Sequence, residues 1–453
     1  MLVDWVLCRQ PIQPTSELTM HSTIEADVAG SATGSATGSA TGSAAGSAAG
    51  SATGSVVRSL YDALQSVPDK RHRRGRRYEA GLVLTLLLLA KLAGESAMAA
   101  IAQWVRERQS LLAQWLPLTH TPCANTYRNI CASIDATALL QVVAGVLGAA
   151  EASALLQPAP VRHLACDGKA ERGSYRLTAQ GVQPAQELFG IYDTTSGCME
   201  VLLPIAGKGF EAKAFKEWLA QQTGRQTTGQ ETTGQQTRKG ACAGCLLTAD
   251  ALHTQTAVCK AIRKADADYL LVAKRNQRGL REDIGYLFSQ QPDFWFPERT
   301  ARQVNVGHGR IEVRTMRASN ELNDYLADRW PGVQQVFQVE RTITRRSRQG
   351  TQTTHERVYG LTSLPADRAS PAQLLMSLRA HWRIENRNHW RRDATLGEDR
   401  LQLACKPAAL VMAVLNCLIL ALFDRMHCTN CRQAMRTFDA HPEQALALLR
   451  SPP

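Results

Sequence analysis

At residues 161–167 the chain reads VRHLACD, and at this point helical patterning gives way to short apolar runs that favour strands. Two similar runs follow, ELFGIYD at 187–193 and MEVLLPIA at 199–206, and residues typical of turns separate them. The three runs predict a meander of three strands.

Downstream of the meander, strand and helix patterns alternate. After a predicted helix at 210–221, the runs CLLTAD at 245–250 and YLLVAK at 269–274 enclose a helical stretch at 254–265, which predicts a strand–helix–strand unit. A β-rich insert of about 295–365 comes next. Two predicted helices follow it, at 371–392 and 406–426. This order predicts an α/β core that is interrupted late in the chain.

Upstream of the meander the sequence is helical. Leu82–Ala90 is a continuous apolar run, and Ile101, Trp104 and Val105 follow the i, i+3, i+4 spacing of a helix face. Asp135 is placed to cap a last helix. We therefore predict a helical N-terminal domain over 58–150.

Three stretches fall outside these patterns. Residues 30–55 repeat GSAT or GSAA, a composition that cannot bury enough apolar surface to offset chain entropy, so we expect 1–57 to be a disordered extension. A second biased stretch, rich in Gln and Thr, predicts a low-complexity surface loop over 221–240. Residues 427–453 are expected to form a C-terminal tail.

The composition favours a globular protein with an anionic partner. Among 453 residues, 52 Lys and Arg against 40 Asp and Glu give a net charge of +12, and 44% apolar residues exclude a wholly disordered chain. The most apolar segments, 82–90 and 408–423, are shorter than the roughly 18–20 residues that span a bilayer, so buried helices are expected. Without an export signal, we expect a cytoplasmic protein whose cysteines are free thiols, including two Cys-x-x-Cys pairs at Cys242/Cys245 and Cys428/Cys431. The alternative for the two pairs is one shared zinc site, which would require the fold to bring them together.

Two aspartates end predicted strands, Asp167 the first and Asp250 the fourth. A carboxylate at the tip of a buried strand is held rigidly at the edge of a sheet. Mg²⁺ takes one or two such carboxylates and keeps waters for the oxygens of a substrate. The alternative for each residue is that it caps a following turn. The occurrence of both in one domain favours a metal site.

The third acidic residue is Glu385, in SLRAHWRIENRNHWRRD at 377–393. At about 100° per residue in a helix, one quadrant holds Leu378, His381, Glu385, His389 and Arg392. A stripe nearly opposite holds Arg379, Arg383, Arg387 and Arg391. The Glu385 face is therefore expected to look into the site, and the stripe to face acidic protein surface, nucleic acid or solvent. An ordinary ion pair is the alternative for Glu385.

The densest cationic patch is KRHRRGRR at 70–77. Neutralisation of phosphates by Lys and Arg supplies most non-specific DNA affinity. We therefore predict nucleic-acid contacts from the six cations of the run, which are Lys70, Arg71, Arg73, Arg74, Arg76 and Arg77. A solvated loop is the alternative. A second cationic group in the β-rich insert comprises Arg341, Arg345, Arg346 and Arg348.

Five motifs in sequence order carry a resemblance to a known family. They are LACDGKAERGS, LLTADALHTQ, LLVAKRNQ, GHGRIEVR and HWRIENRNHWRRDATLGED. Together they resemble the transposases of the H-repeat-associated insertion-sequence family, which belong to the broad DDE group with a ribonuclease-H-like core. The N-terminal region, including VPDKRHRRGRRY, is similar to the helical domain of that family. The resemblance covers about Ser59–Met426.

The resemblance implies a fold and a site. The fold is a ribonuclease-H-like mixed α/β sheet over 160–426, with the β-rich insertion. Asp167, Asp250 and Glu385 are implied as a catalytic triad that binds two Mg²⁺ ions, for which Mn²⁺ can substitute. Further DNA contacts are expected from Lys169, Lys208 and Arg392. Lys208 with Glu211 matches a Lys-x-x-Glu element of the family, Arg392 stands where the wider superfamily has a Lys, and His381 stands where it has an Arg.

The implied activity is DNA transposition by a bacterial insertion sequence, that is, metal-dependent cleavage of the element ends and strand transfer to a target. The implied partners are double-stranded DNA, as terminal inverted repeats and target, and a second copy of the chain in a DNA-bound homodimer. The expected location is the cytoplasm, in association with the nucleoid and with no membrane. Alternatives are a catalytically inactive DNA-binding derivative or regulator, and a nuclease without strand transfer. The Gln/Thr insertion and the Gly-Ser-Ala-Thr tract depart from the family pattern and keep the inactive alternative open.

Overall fold

The computed structural model describes residues 59–154, 161–179, 181–224, 242–290, 299–307, 309–347 and 350–451. The predicted extension 1–57 and Arg348 lie outside these residues, as does the predicted loop 221–240 beyond residue 224. The helical and strand-rich regions pack together as one compact unit.

The predicted N-terminal domain forms helices. Their bounds are α1 Leu60–Gln65, α2 Ala80–Leu92, α3 Met98–Glu107, α4 Gln109–Leu112, α5 Ala124–Ser133 and α6 Ala136–Ala154. Ser59 caps α1, because its hydroxyl accepts a hydrogen bond from the Asp62 amide. The apolar run at 82–90 is confirmed as a buried helix, since every residue of α2 is buried in the core that α1, α3, α5 and α6 share.

The strand-rich region is built on a nine-stranded mixed sheet. The strands of the structure are β1 His163–Glu171, β2 Arg176–Thr178, β3 Gly181–Gln183, β4 Gln186–Asp193, β5 Met199–Ile205, β6 Leu246–Ala249, β7 Asp268–Ala273, β8 Thr300–Gly307, β9 Arg310–Ser319, β10 Gln335–Ser347 and β11 Gly350–Thr362. The large sheet has the order β5-β4-β1-β6-β7-β11-β10-β9-β8, and β2 pairs with β3 separately.

The pairing directions confirm the predicted meander and strand–helix–strand unit. β1, β4 and β5 are antiparallel neighbours, whereas β1, β6 and β7 are parallel. The β-rich insert supplies β8–β11, which extend the sheet antiparallel from β7.

Helices cover both faces of the sheet. Their bounds are α7 Glu211–Gly224, α8 Thr256–Lys264, α9 Arg278–Gln290, α10 Asn323–Leu326, α11 Pro371–His381, α12 Trp390–Ala394, α13 Lys406–Arg425, α14 Cys431–Ala440 and α15 Pro442–Arg450. Because successive strand residues point to opposite faces, Leu164 and Cys166 pack with α7 and α8, while Ala165 joins the core of α13 and the N-terminal helices. The late helix α13 therefore belongs to the helical core.

Within the described residues, α13 is long and apolar enough by itself to cross a membrane, and the pair α5 and α6, bent by 85°, would be so only if taken together. In α13, 83% of the apolar window is buried inside the protein, which is also the pattern of a core helix. Its polar residue Asn416 is buried and donates to Glu398.

Two predicted elements differ in detail from the structure. The helix expected over 371–392 is interrupted, because α11 ends at His381, a π-helical stretch spans Ile384–His389 and α12 then begins. The expected tail 427–453 contains α14 and α15, whose apolar residues pack against α2 and α1.

The two Cys-x-x-Cys pairs lie in different cores. Cys242 and Cys245 are buried beside α8, whereas Cys428 and Cys431 pack against the helical core. All four are free thiols. The two pairs therefore do not share one site.

Candidate functional site

Asp167 and Asp250 come from adjacent parallel strands in the sheet. The parallel register of β1 and β6 pairs Cys166 with Ala249. The residues that follow this pair, Asp167 and Asp250, therefore lie side by side. β6 ends there, whereas β1 continues to Glu171 along β4. The prediction that Asp167 ends its strand is wrong, but the parallel pairing still brings both acids to the same edge.

Each aspartate also makes a local hydrogen bond. Asp167 Oδ1 accepts from the Gly168 amide at 2.8 Å, and Asp250 Oδ1 accepts from the Leu252 amide at 2.9 Å. Asp250 thereby caps a single 3₁₀ turn, Ala251–His253, and half of its side chain stays exposed. A carboxylate that caps a turn with one oxygen retains a second oxygen for a ligand.

Glu385 reaches this edge from the π-helical stretch Ile384–His389. The preceding helix α11 contacts β1, β6 and β7, and the Trp390 amide donates to the Glu385 carbonyl five residues back. His389 Nδ1 lies 3.5 Å from Asp167 Oδ2, so this wider turn lies over β1. The regular 100° spacing therefore does not hold here, and π-helical turns occur frequently at functional sites.

The carboxylates of the site repel one another. Burial, followed by the charge of Glu385, holds the pKa of Asp167 well above its usual range, and Asp250 and Glu211 add to the shift. Glu385 is exposed on one side, and partial burial on the other, followed by the charge of Asp250, raises its pKa. The structure therefore brings the three predicted acidic residues within electrostatic reach of one another.

A fourth carboxylate, Glu211, lies in the same cluster. It begins α7, and a Cβ added at Gly168 would meet its carboxylate, so the Glu211 side chain would have to shift to admit a larger residue there. Burial and the charge of Asp250 raise the pKa of Glu211. His253 Nε2 lies 3.8 Å from Glu211 Oε2 and 3.9 Å from Asp250 Oδ1. The only sequence signal for Glu211 is the Lys-x-x-Glu element, which by itself assigns no role.

The donor chemistry of this cluster fits a hard divalent cation. Carboxylate oxygens are the preferred ligands of Mg²⁺, and a cation relieves the repulsion that raises these pKa values. Among the described residues, no three His, Cys, Asp or Glu side chains stand ready to hold one ion. Binding a cation between Asp167, Asp250 and Glu385 would therefore require their side chains to draw together.

A buried hydrogen-bond chain joins the strands to α11. His163 Nδ1 lies 3.0 Å from Thr194 Oγ1, its Nε2 lies 2.8 Å from Thr248 Oγ1, and Thr248 Oγ1 lies 3.1 Å from His381 Nδ1. Burial lowers the pKa of His163 to about 3 and that of His381 to about 4, so both rings are neutral at pH 7. His381 therefore has a protein partner at the position where the wider superfamily has an Arg.

Arg392 and Lys169, both predicted to contact DNA, are buried and paired with acidic residues of the protein. The Arg392 guanidinium is fully enclosed and contacts Glu171 and Glu398. Lys169 Nζ lies 2.8 Å from Asp393 Oδ1. Opposite charges surround both cations inside the protein, so neither is available to a phosphate.

The basic run 70–77 divides into cations that stabilise the fold and cations on the surface. Arg71 donates to the Asp69 carboxylate at 2.7 Å and Arg76 donates to the Asp69 carbonyl at 2.6 Å, which closes the loop. Lys70 makes an exposed ion pair. The other exposed cations of the run are Arg73, Arg74 and Arg77. Lys208 is also exposed, three residues before α7.

The arginine stripe faces protein along most of its length. Its partners are Gln303 for Arg379, the Thr194 carbonyl for Arg383 and Asp424 for Arg391. Arg387 is exposed. Most of the stripe therefore contacts other parts of the protein, and not nucleic acid or solvent.

Models of two protein families match the chain. The model described as DDE_Tnp_1-associated matches residues 61–145, and the model described as transposase DDE domain matches residues 173–422. The second match includes Asp250 and Glu385 and begins after Asp167.

Three individual proteins are similar to this chain, and two of them are named as putative transposases. An uncharacterized protein in the dhlA 3′ region of Xanthobacter autotrophicus is 28% identical over 68% of this chain and 92% of its own length. The putative transposase YncI of Escherichia coli O157:H7 is 22% identical over 78% of this chain and 84% of its own. The H repeat-associated putative transposase YhhI of Escherichia coli K12 is 24% identical over 43% of this chain and 51% of its own.

One solved structure also aligns with the chain. A piggyBac transposase synaptic complex with hairpin DNA aligns over 86% of this chain and 78% of that chain, with 9% identity and a TM-score of 0.35. A TM-score this low does not establish a shared fold.

Proposed function

Because the chain belongs to the DDE transposase family, we propose that it cleaves the ends of a bacterial insertion sequence and joins them to target DNA, with Asp167, Asp250 and Glu385 as the metal-binding catalytic residues. The observation that carries this proposal is that the three carboxylates lie within electrostatic reach of one another at one edge of the sheet: besides burial, the charges of Glu385 and Asp250 raise the pKa of Asp167, and the charge of Asp250 raises that of Glu385. The mixed sheet with parallel β1, β6 and β7 supports a ribonuclease-H-like core.

The chemistry follows from the donor set. Two Mg²⁺ or Mn²⁺ ions, when bound, would activate a water or a DNA 3′-hydroxyl and stabilise the leaving oxygen of an in-line displacement. Asp167 would supply its carboxylate from β1, Asp250 from the turn that follows β6, and Glu385 from the π-helical stretch. No covalent enzyme intermediate is required.

The charge of the chain supports DNA as the substrate. The net charge of +12 favours a polyanion, and exposed Arg73, Arg74, Arg77 and Lys208 are the cations that we propose contact phosphates. Two element ends must be brought together, so we propose a homodimer on DNA. A DNA-acting protein without a membrane role fits the cytoplasm and the nucleoid.

The decisive test is cleavage of a labelled element end in Mg²⁺ or Mn²⁺. Asp167→Asn, Asp250→Asn and Glu385→Gln should each reduce cleavage by about 10³-fold or more, since metal-ion catalysis is worth several kcal/mol. DNA affinity, measured by fluorescence anisotropy, should stay close to that of the wild type. Glu282→Gln, which removes an exposed carboxylate on α9, is the matched control and should cleave normally.

The outcome also separates the alternatives. A wild-type protein that binds element ends but neither cleaves them nor binds Mn²⁺ in calorimetry would be an inactive DNA-binding derivative. Fragments without joined products, from pre-cut ends and a plasmid target, would indicate a nuclease without strand transfer.

Salt dependence tests the DNA contacts. If Arg73, Arg74 and Arg77 each neutralise one phosphate, replacing all three with Gln should reduce the slope of log K against log salt by about 0.9 per residue. Arg278→Gln, another exposed arginine, is the control. An unchanged slope would remove the basic run from the DNA interface.

A further inference from the structure

A buried cluster of charges, which we call the Arg clamp, ties the end of β1 to the segments that follow Glu385. The Arg392 guanidinium contacts Glu171 of β1, and its Nε donates to Glu398 Oε2 at 2.8 Å. Asn416 Nδ2 donates to the same Glu398 oxygen at 2.6 Å. Lys169 Nζ lies 3.7 Å from Glu398 Oε1. Arg392, Glu171, Glu398, Asn416 and Lys169 are all buried.

The Arg clamp is coupled by chain connectivity to the acidic residues. Glu171 follows Asp167 by four residues on the same strand, and Arg392 follows His389 by three residues. His389 itself lies 3.5 Å from Asp167. The clamp therefore sets how far the helical segment after Glu385 can move away from β1.

A second set of contacts, which we call the His clamp, holds the segment before Glu385. His381, four residues before Glu385, lies 3.1 Å from Thr248, which is two residues before Asp250. Thr248 in turn lies 2.8 Å from His163 of β1. One hydroxyl thus links α11 to the two strands that carry the aspartates.

The π-helical stretch lies between the two clamps. π-helical turns are rare and need support from their surroundings. Buried polar groups cost free energy unless they are paired, so a network with many partners holds one geometry strongly. The two clamps therefore hold both ends of the π-helical stretch that carries Glu385.

We propose that the Arg clamp and the His clamp position Glu385 against Asp167 and Asp250, so that Arg392 and His381 are positioning residues and not phosphate contacts. This inference rests on the proposed function for its kinetic consequence. Its structural consequence, an ordered π-helical stretch, is independent of that function.

The first test is Arg392→Lys, with Arg391→Lys as the matched control. Arg391 is the neighbouring, largely buried arginine, but its partner Asp424 lies on α13. Loss of partners in the outer shell of a metal site typically costs about 10–100-fold. We expect Arg392→Lys to lower kcat for end cleavage and Mn²⁺ affinity by about that factor, with KM for DNA and the salt slope unchanged, while Arg391→Lys keeps wild-type kinetics.

The kinetic split decides between positioning and phosphate contact. A higher KM and a shallower salt slope at unchanged kcat would overturn the inference, because that pattern belongs to a phosphate contact. Equal losses in the Arg391 and Arg392 variants would also overturn it.

The His clamp is tested with Thr248→Val, which keeps the shape of the side chain and removes the linking hydroxyl. Thr362→Val is the control, since Thr362 is equally buried and its hydroxyl donates to the Tyr269 carbonyl, away from the site. We expect lower kcat only in the Thr248 variant. Equal kcat in both variants would remove the His clamp from the inference.

Amide hydrogen exchange separates failure of this inference from failure of the proposed function. Without DNA or metal, Arg392→Met should speed exchange at 384–389 by about tenfold or more, with little change in α13. If the wild type proves inactive but this exchange result holds, the positioning role stands and the proposed function fails. If Arg392→Met unfolds the protein, Arg392→Lys gives the same readout, and unchanged exchange at 384–389 in that variant would overturn the inference.

Discussion

Strand β1 carries two acidic residues four positions apart, Asp167 and Glu171; burial raises the pKa of both, but only Glu171 has cations, Arg392 and Lys169, that offset part of the shift. The charges that shift the pKa of Asp167 belong to other carboxylates, chiefly Glu385. Glu171 instead contacts Arg392, which also binds Glu398. Buried charge that is paired holds the protein together, whereas clustered like charge destabilises it and is typical of a functional site. The same strand therefore contributes Asp167 to the proposed site and, four residues later, Glu171 to the Arg clamp.

The largest expected effect on stability comes from a substitution in the Arg clamp. Glu398→Gln should lower the free energy of unfolding by about 3–5 kcal/mol, because removing one partner of a buried pair leaves Arg392 incompletely compensated. Urea denaturation measures this change. Glu282→Gln breaks an exposed pair and should cost less than about 1 kcal/mol. Equal effects of the two substitutions would mean that the Arg clamp is no stronger than a surface ion pair.

The second largest expected effect is a pH dependence of stability that comes from Lys91, a buried cation whose pKa is lowered. Burial lowers the pKa of Lys91 on α2 to about 8, and the charge of Glu398 offsets part of the shift. Between about pH 8 and 10.5 the unfolded chain binds the proton that the folded protein has lost, so the unfolding free energy should rise with pH, by up to about 3 kcal/mol.

Lys91→Met provides the reference for that titration. The wild-type free energy of unfolding minus that of the variant should rise through this window, which cancels the titration of other groups. A difference that does not rise with pH would show that the pKa of Lys91 is not lowered in the fold.

At the proposed site the expected effect is stabilisation by a cation. Mn²⁺ at 100 times its Kd should stabilise the wild type by about 2.7 kcal/mol, and a chelator should reverse the gain. Thermal unfolding with and without metal measures it. Asp250→Asn should abolish most of the gain, and a gain that survives in this variant would place the ion elsewhere.

The smallest effect is the stability of Asp250→Asn without metal. This substitution removes one of the charges that raise the pKa of Asp167 and Glu385. Because half of the Asp250 side chain is exposed, we expect a gain of at most about 1 kcal/mol in unfolding free energy. A loss of more than that would mean that the turn cap at Asp250 matters more than the repulsion.

The strands and the two aspartates could be predicted from local sequence. Short apolar runs that end in Asp167 and Asp250 define β1 and β6, and parallel neighbours align such residues at one edge. Glu385 was predicted from a helical pattern and a family resemblance. That pattern was wrong in detail, because the stretch Ile384–His389 is π-helical and a regular wheel does not describe it.

The fate of the cations could not be predicted from local sequence. Arg392 and Arg73 have the same chemistry, yet the first is enclosed by Glu171, 221 residues away in sequence, and the second is on the surface. The C-terminal helices were missed for a similar reason, since their short apolar faces become meaningful only against α1 and α2.

Composition determined the excess of positive charge of this protein. Hydrophobic periodicity and turn chemistry, which act over a few residues, determined most of its helices and strands and the acidic residues at the ends of its strand patterns. Tertiary structure decided which acids meet one another and which meet a cation. The free energy of a charge depends on its burial and on its neighbours, and both are set by segments that lie far apart along the chain.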